Sequence, residues 1–335
     1  MKHLISITLL SLSINAMAQG DITPDMLRKF ENETQLTAPE RAISNALAAG
    51  PVSGLALSQA NQVEQNTWFS HSVPSRGITN QNSSGRCWLF TGLNVLRAEM
   101  MNRHSLREME FSQSYLFFYD QLEKANLFLQ AVIDTRNLSF DDRTVDWLFS
   151  HPISDGGTFT GVADLVSKYG VVPAEIFPET LTANSTSAIR GQLSNLLRQD
   201  GLALRDAGKK ADLQKMKVDM LKEVYRILAL TLGVPPTEFE WTRRDGKGNV
   251  VSTKTYTPIE FYNEFVGYDL QNNYIMFMND PAREYGKVYE IEYDRHTYDG
   301  HNWLYVNLPL DDIKEMAIAS IKGGDAMYFS CDVGK

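Results

Sequence analysis

The sequence predicts an α+β fold. Two observations carry this: runs with apolar residues at helical spacing fill the first two thirds of the chain, and short strand-like runs appear only late. No internal repeat links the two regions.

The elements follow in order. Pro24 and Pro39 each precede good helix formers, which predicts helical stretches within residues 19–50. Residues 71–86, "HSVPSRGITNQNSSGR", are rich in Ser, Gly, Asn and Gln and read as a loop. A helix starts near Cys87, because Leu89, Leu93, Leu96 and Met100 form one apolar stripe. Ser83 and Ser84 are expected to cap it. A second helix is expected over Ser112 to Ile133, and a third from about Val162 to Tyr169, stopped by Gly170. "VVPAEIFPET" reads as an extended connector broken by Pro173 and Pro178.

From Ser185 to Leu232 the pattern is long, charged and helical, weakened at Gly201 and Gly208 and ended by Pro235 and Pro236. Glu238–Arg243 and Asn249–Tyr256 flank "DGKG" as a β-hairpin. A short helix over Pro258 to Phe265 comes next. Strand-like runs follow at Tyr274–Met278, Val288–Tyr293 and Trp303–Val306, then an amphipathic helix over Asp311 to Lys322. "DAMYFSC", Asp325 to Cys331, reads as a final apolar strand.

Composition narrows the function. The 335 residues are 43% hydrophobic and carry a formal charge of -9, from 32 basic and 41 acidic side chains. No basic face is visible, so nucleic acid is not an expected partner. Residues 1–18 combine Lys2, a short apolar run from Leu4 to Ile14, and the small residues Ala16 and Ala18. That pattern predicts a cleaved signal peptide, and hence an exported, periplasmic or secreted protein with no membrane anchor afterwards.

Cys87 and Cys331 are the only cysteines. In an oxidising compartment they could pair, which would disable Cys87 as a nucleophile. They are too few for a disulfide framework or a thiolate zinc site. A thiol at a helix start faces unpaired N–H groups and the positive dipole end, which favour the reactive thiolate. Gln81 stands six residues earlier, where its side-chain amide could donate to an oxyanion. Trp88 is expected beside the cleft. A buried, inert cysteine is the competing reading, and the Gln-x5-Cys-Trp spacing at a loop-to-helix junction favours the nucleophile.

The six histidines do not provide an evident base. His3 lies in the signal segment. His104 lies about 25 Å along the helix from Cys87, at ~1.5 Å per residue. His71 and His151 flank the site in sequence. Asp294, His296, Asp299 and His301 read as a solvated loop rather than a metal cluster, and no metal or cofactor is expected.

"ITNQNSSGRCWLFTGLNVLR", "DGGTFTGVADLVSKYGVVPAEIFPET", "TPIEFYNEF", "FMNDPAREYGKVYEIEY" and "MYFSCDVGK" resemble, in that order, the bleomycin hydrolase / bacterial aminopeptidase C family of papain-like cysteine peptidases. The resemblance runs from about residue 60 to Lys335. It implies a papain-like fold with a helical insertion, and cleavage of peptides mostly from the N-terminus. It matches Cys87 to the nucleophile, Gln81 to the oxyanion donor, and Gly156 and Gly157 to the glycine pair whose backbone lines the substrate cleft. Trp88 joins that pair as a substrate-binding residue.

The family's catalytic His and Asn follow the "CDVGK" segment. Neither can be placed on a residue here, so the chain is expected to be truncated within its β-rich half. Cys331 is expected in the core. A catalytically inactive peptide-binding fragment or pseudoenzyme is the alternative to an active aminopeptidase. The resemblance also implies peptide substrates and a homohexamer. The expected organisation is a signal peptide at 1–18, an N-terminal extension at 19–70, the helical half of the papain-like domain at 71–183, a helical insertion with a β-hairpin at 184–270, and the first part of the β-rich half at 271–335.

Overall fold

The computed structural model describes residues 20–64, 66–106, 108–270 and 272–331. The expected signal peptide lies outside the described residues. The described residues form two compact units, one ending at Trp68 and the other Phe69–Cys331.

Among the described residues the first unit holds four helices: α1 (Pro24–Glu33), α2 (Ala38–Ala49), α3 (Val52–Ala56) and α4 (Gln59–Val63). Thr23 caps α1, and Thr37 and Glu40 form a reciprocal capping box on α2. These caps, with the two prolines in first turns, are why helices start here. Neither α1 nor α2 buries a residue.

The second unit is built around α5 (Cys87–His104) and α6 (Gln113–Asp134). The stripe at Leu89, Leu93, Leu96 and Met100 is buried, but so are Trp88, Phe90, Gly92, Arg97, Ala98 and Met101. The helix is therefore enclosed on most sides rather than half-exposed. Helix α8 (Phe159–Tyr169) crosses it closely at Gly92, where a Cβ would come within 2.6 Å of Val162 Cγ2. That contact requires glycine. Ser112 caps α6 through the Tyr115 N–H.

Helix α7 (Arg143–Ser150), capped by Asp142, follows α6, and α9 (Leu181–Asn184) follows the proline-broken connector. The long charged stretch forms two helices, α10 (Ser187–Asp206) and α11 (Leu213–Leu232), parted at residues 207–212 around Gly208. Gly201 does not break α10; it is buried against Phe149 and Phe128. Both helices pack on α6. The hairpin β1 (Phe239–Arg244) and β2 (Val250–Tyr256) and helix α12 (Pro258–Phe265) close the other side through Trp241, Phe261 and Phe265.

The β-rich remainder is a small sheet in the order β3-β5-β4, with β3 (Phe277–Met278) parallel and β4 (Lys287–Ile291) antiparallel to β5 (Trp303–Asn307). Helix α13 (Leu310–Gly323) follows. Mixed helices and small sheets make the fold α+β. Among the described residues no helix is long and apolar enough to cross a membrane.

Three local expectations are corrected. Asp325–Cys331 is not a strand, because no neighbouring strand pairs with it among the described residues. Cys331 is exposed rather than in the core, and both cysteines are free. No side chain caps α5: Ser84 Oγ instead donates to Gln81 O, and Arg86 occupies the N-cap position.

Candidate active site

Cys87 is the first residue of α5 and is exposed. Arg86 holds it there. The Arg86 carbonyl accepts from the N–H groups of Leu89 and Phe90, each at 3.0 Å. Its fully buried guanidinium makes a bidentate pair with Glu179 at 3.0 and 2.8 Å and lies over the rings of Phe90 and Phe117.

Gln81 belongs to the tight loop just before. Its Nε2 donates to Ser84 O at 2.5 Å while Ser84 Oγ donates back to Gln81 O at 2.6 Å. Two local bonds thus fix the loop that carries the Gln81 amide.

The glycine pair is anchored from beneath. The Trp88 indole, 1% exposed, donates to Asp155 O at 2.9 Å. Gln121 Nε2 and Lys124 Nζ donate to Ser154 O at 3.0 and 3.1 Å, and Lys124 Nζ to Gly156 O at 2.7 Å. The Asp155 carboxylate ties this segment to the nucleophile loop by accepting from Gly85 N–H at 3.0 Å and Thr186 Oγ1 at 2.5 Å. Burial pushes that carboxyl up, but the Thr186 hydroxyl, the Gly85 N–H and Arg190 outweigh it and hold it below the usual range.

Gly156 and Gly157 line a cleft of about 680 Å³ whose walls include Trp147, His151, Tyr293, His296 and Tyr298. Cys87 and Gln81 are outside that cleft's lining. Trp88 supports the pair from the interior and does not present its face to the cleft. Among the described residues, no hydrogen bond uses the N–H or C=O of Gly157.

The histidines depart from expectation at one position. His296 is not in a solvated loop: it is 1% exposed, lies 4.5 Å ring to ring from Trp88, and its Nδ1 is 2.5 Å from Asp120 Oδ1. A Cβ on Gly157 or Gly161 would overlap its imidazole. The glycines supply the slot, and the carboxylate on α6 supplies the partner. Burial and the Lys124 charge lower the pKa of His296 against the pull of Asp120, so the ring is neutral near pH 7. Burial pushes Asp120 up, but Lys124 and His296 together hold it below the usual carboxylate range.

The other described histidines are held elsewhere. His301 binds Asp164 through both its N–H and Nδ1, His104 faces Phe265 O, His151 faces Trp147 O, and His71 faces Ser70 Oγ. Tyr328, in the segment after α13, packs on Phe159 and is pushed up to about 12 by burial and by its proximity to Cys87.

Sequence reasoning missed Asp120, Lys124 and the seating of His296. One signal was present: "YDQLEK" sets Asp120, Gln121 and Lys124 on one face of an otherwise aromatic helix. Nothing local named His296 as their partner, 176 residues away.

Known proteins share this fold. The crystal structure of PepW from Lactobacillus rhamnosis HN001 superimposes with a TM-score of 0.86 at 33% identity, covering 91% of this chain and 70% of that one. Human bleomycin hydrolase is 40% identical over 279 residues, or 80% of this chain, and the chain spans 61% of that protein's length. Aminopeptidase C of Lactococcus lactis subsp. cremoris is 36% identical over 319 residues, 94% of this chain and 71% of the relative. Residues 21–335 match the Peptidase C1-like family. The papain-like α+β fold agrees with that match, and the chain belongs to the Peptidase C1-like family.

Proposed function

We propose that this protein is a thiol peptidase that acts as an aminopeptidase, with Cys87 as the nucleophile. The single observation that carries this is the exposed Cys87 at the N-terminus of α5, next in the chain to the buried Arg86 anchor. The aminopeptidase specificity is supported by relatives named aminopeptidase C and aminopeptidase G.

In this mechanism the Cys87 thiolate attacks the carbonyl carbon of the first peptide bond. The carbonyl π electrons move to oxygen, and the Gln81 amide stabilises that oxyanion. Collapse re-forms the carbonyl and breaks the C–N bond; the leaving nitrogen takes a proton from solvent water in place of the one the thiol lost to solvent, so the shortened peptide departs as an amine and the acyl group stays as a thioester on Cys87. Water then attacks the thioester, releasing the amino acid and restoring the thiol. The Gly157 backbone is the group that pairs with the substrate chain.

The test is hydrolysis of an aminoacyl fluorogenic amide by the 335-residue chain and its Cys87→Ser variant. Turnover that disappears in the variant supports the reading.

A second reading, a protein that binds peptides without cleaving them, rests on one observation: no described histidine is hydrogen-bonded to Cys87. Peptide binding by calorimetry with no turnover selects it. Export with removal of residues 1–18 is a further part of the proposal, tested by N-terminal sequencing of the protein from its native cell. Assembly as a homohexamer is tested by light scattering.

A further inference from the structure

We propose that Lys124 is a positioning residue of this site: held by Asp120, its ammonium clamps the Ser154 and Gly156 carbonyls and so keeps the Gly157 N–H and C=O open to a peptide backbone. The inference rests on the peptidase reading for what the open backbone receives.

The hydrogen-bond inventory supports it. An ammonium has three N–H donors. Lys124 Nζ meets three acceptors: Asp120 Oδ2 at 3.0 Å, Ser154 O at 3.1 Å and Gly156 O at 2.7 Å. The side chain is 12% exposed and Asp120 is fully buried, so water is a poor substitute for either partner. With Trp88 Nε1 on Asp155 O, three successive carbonyls are taken up by donors from the interior. Gly156 N–H is also engaged, by Ser154 Oγ at 3.1 Å. Gly157 is then the first backbone unit of this segment with both polar groups unused.

Asp120 joins two roles. One oxygen holds Lys124, and the other holds His296, whose ring fills the space beside Gly157. The clamp and the filled slot act on the glycine segment from two directions, through one carboxylate.

The experiment compares Lys124→Met and Lys124→Arg with the wild-type chain by two readouts. Hydrogen exchange at the Gly85 and Gly156 N–H groups, which donate to Asp155 Oδ2 and Ser154 Oγ, should quicken about tenfold in Lys124→Met, equivalent to about 1.4 kcal/mol, and stay near wild type in Lys124→Arg. Unchanged exchange in Lys124→Met overturns the clamp.

The second readout is alkylation of Cys87 by iodoacetamide and by a peptidyl chloromethyl ketone. Lys124→Met should lose most of the preference for the peptidyl reagent while its iodoacetamide rate stays within about twofold of wild type. An equal fall with both reagents shows general damage and overturns the positioning role. A wild-type chain with no preference for the peptidyl reagent defeats the peptidase reading instead, and the exchange result still decides the clamp.

Discussion

The His296 imidazole occupies the space that a Cβ on Gly157 would need, with the Trp88 ring closing the same slot: that Cβ would lie 2.8 Å from Trp88 Cδ2. Both neighbours are buried rings and cannot swing aside. Gly157→Ala is therefore expected to destabilise the fold by about 1–3 kcal/mol through overpacking. At Gly156 the nearest atom is Ser154 Oγ at 3.5 Å, and Gly156→Ala should cost less than about 1 kcal/mol. Urea unfolding of the two variants checks the contrast; equal losses would contradict it.

The same histidine sets an acid sensitivity. Its folded pKa lies below the unfolded value near 6.5, because burial and Lys124 outweigh Asp120 and Asp294. The stability it contributes is therefore complete above about pH 6.5 and is lost as pH falls through the lowered folded value. Asp120 adds a separate loss only below about pH 4, since its own pKa is depressed from 3.8. His296→Gln should flatten the decline in urea midpoint that begins below about pH 6.5 while leaving the loss below about pH 4. An unchanged slope would show that other groups govern this window.

Arg86 carries a buried charge whose only carboxylate partner among the described residues is Glu179. Glu179→Gln leaves that charge unpaired, and the expected cost is about 3–5 kcal/mol. Because the Arg86 carbonyl starts α5, the iodoacetamide rate at Cys87 should change as well. Thermal unfolding and labelling measured on the same variant provide the check.

Gln81→Ala tests the oxyanion donor. Loss of one such donor lowers acylation by about 10²–10³. Stability should move little, since the residue is partly exposed and its bonds are confined to its own loop. A fall below about threefold in the acylation rate would argue that another group stabilises the oxyanion.

Asp200 offers a stabilising change. On α10 its carboxyl is pushed up to about 6 by burial and then by Glu223, and Oδ2 is buried without a hydrogen-bond partner. Ionisation at neutral pH therefore opposes folding, and this penalty fades as pH falls through about 6. Allowing for solvent screening of a half-buried group, Asp200→Asn should gain about 1–2 kcal/mol at pH 7.5 and about half as much at pH 5. Urea midpoints at the two pH values test the sign.

Much of the fold was readable because its causes are local. Pro258 and the Thr257–Glu260 capping box start α12 at its expected residue, and alternation around "DGKG" marks the β1–β2 hairpin. The break between α10 and α11 was harder to place. Gly201 and Gly208 have similar propensity, and only packing on Phe149 and Phe128 keeps Gly201 helical. Asp325–Cys331 has strand composition, yet a strand requires a paired neighbour that no single segment specifies.

By itself the sequence determined the helix that opens at Cys87 and the loop that brings Gln81 before it, because apolar spacing and turn chemistry act over a few residues. The tertiary structure alone decided that Asp120 grips Lys124 and His296 together, and that the His296 ring rests against Gly157 and Trp88. Those partners lie up to 176 residues apart. Burial, not sequence spacing, turns an imidazole in a polar run into a neutral packing group and a surface-type lysine into a carbonyl clamp.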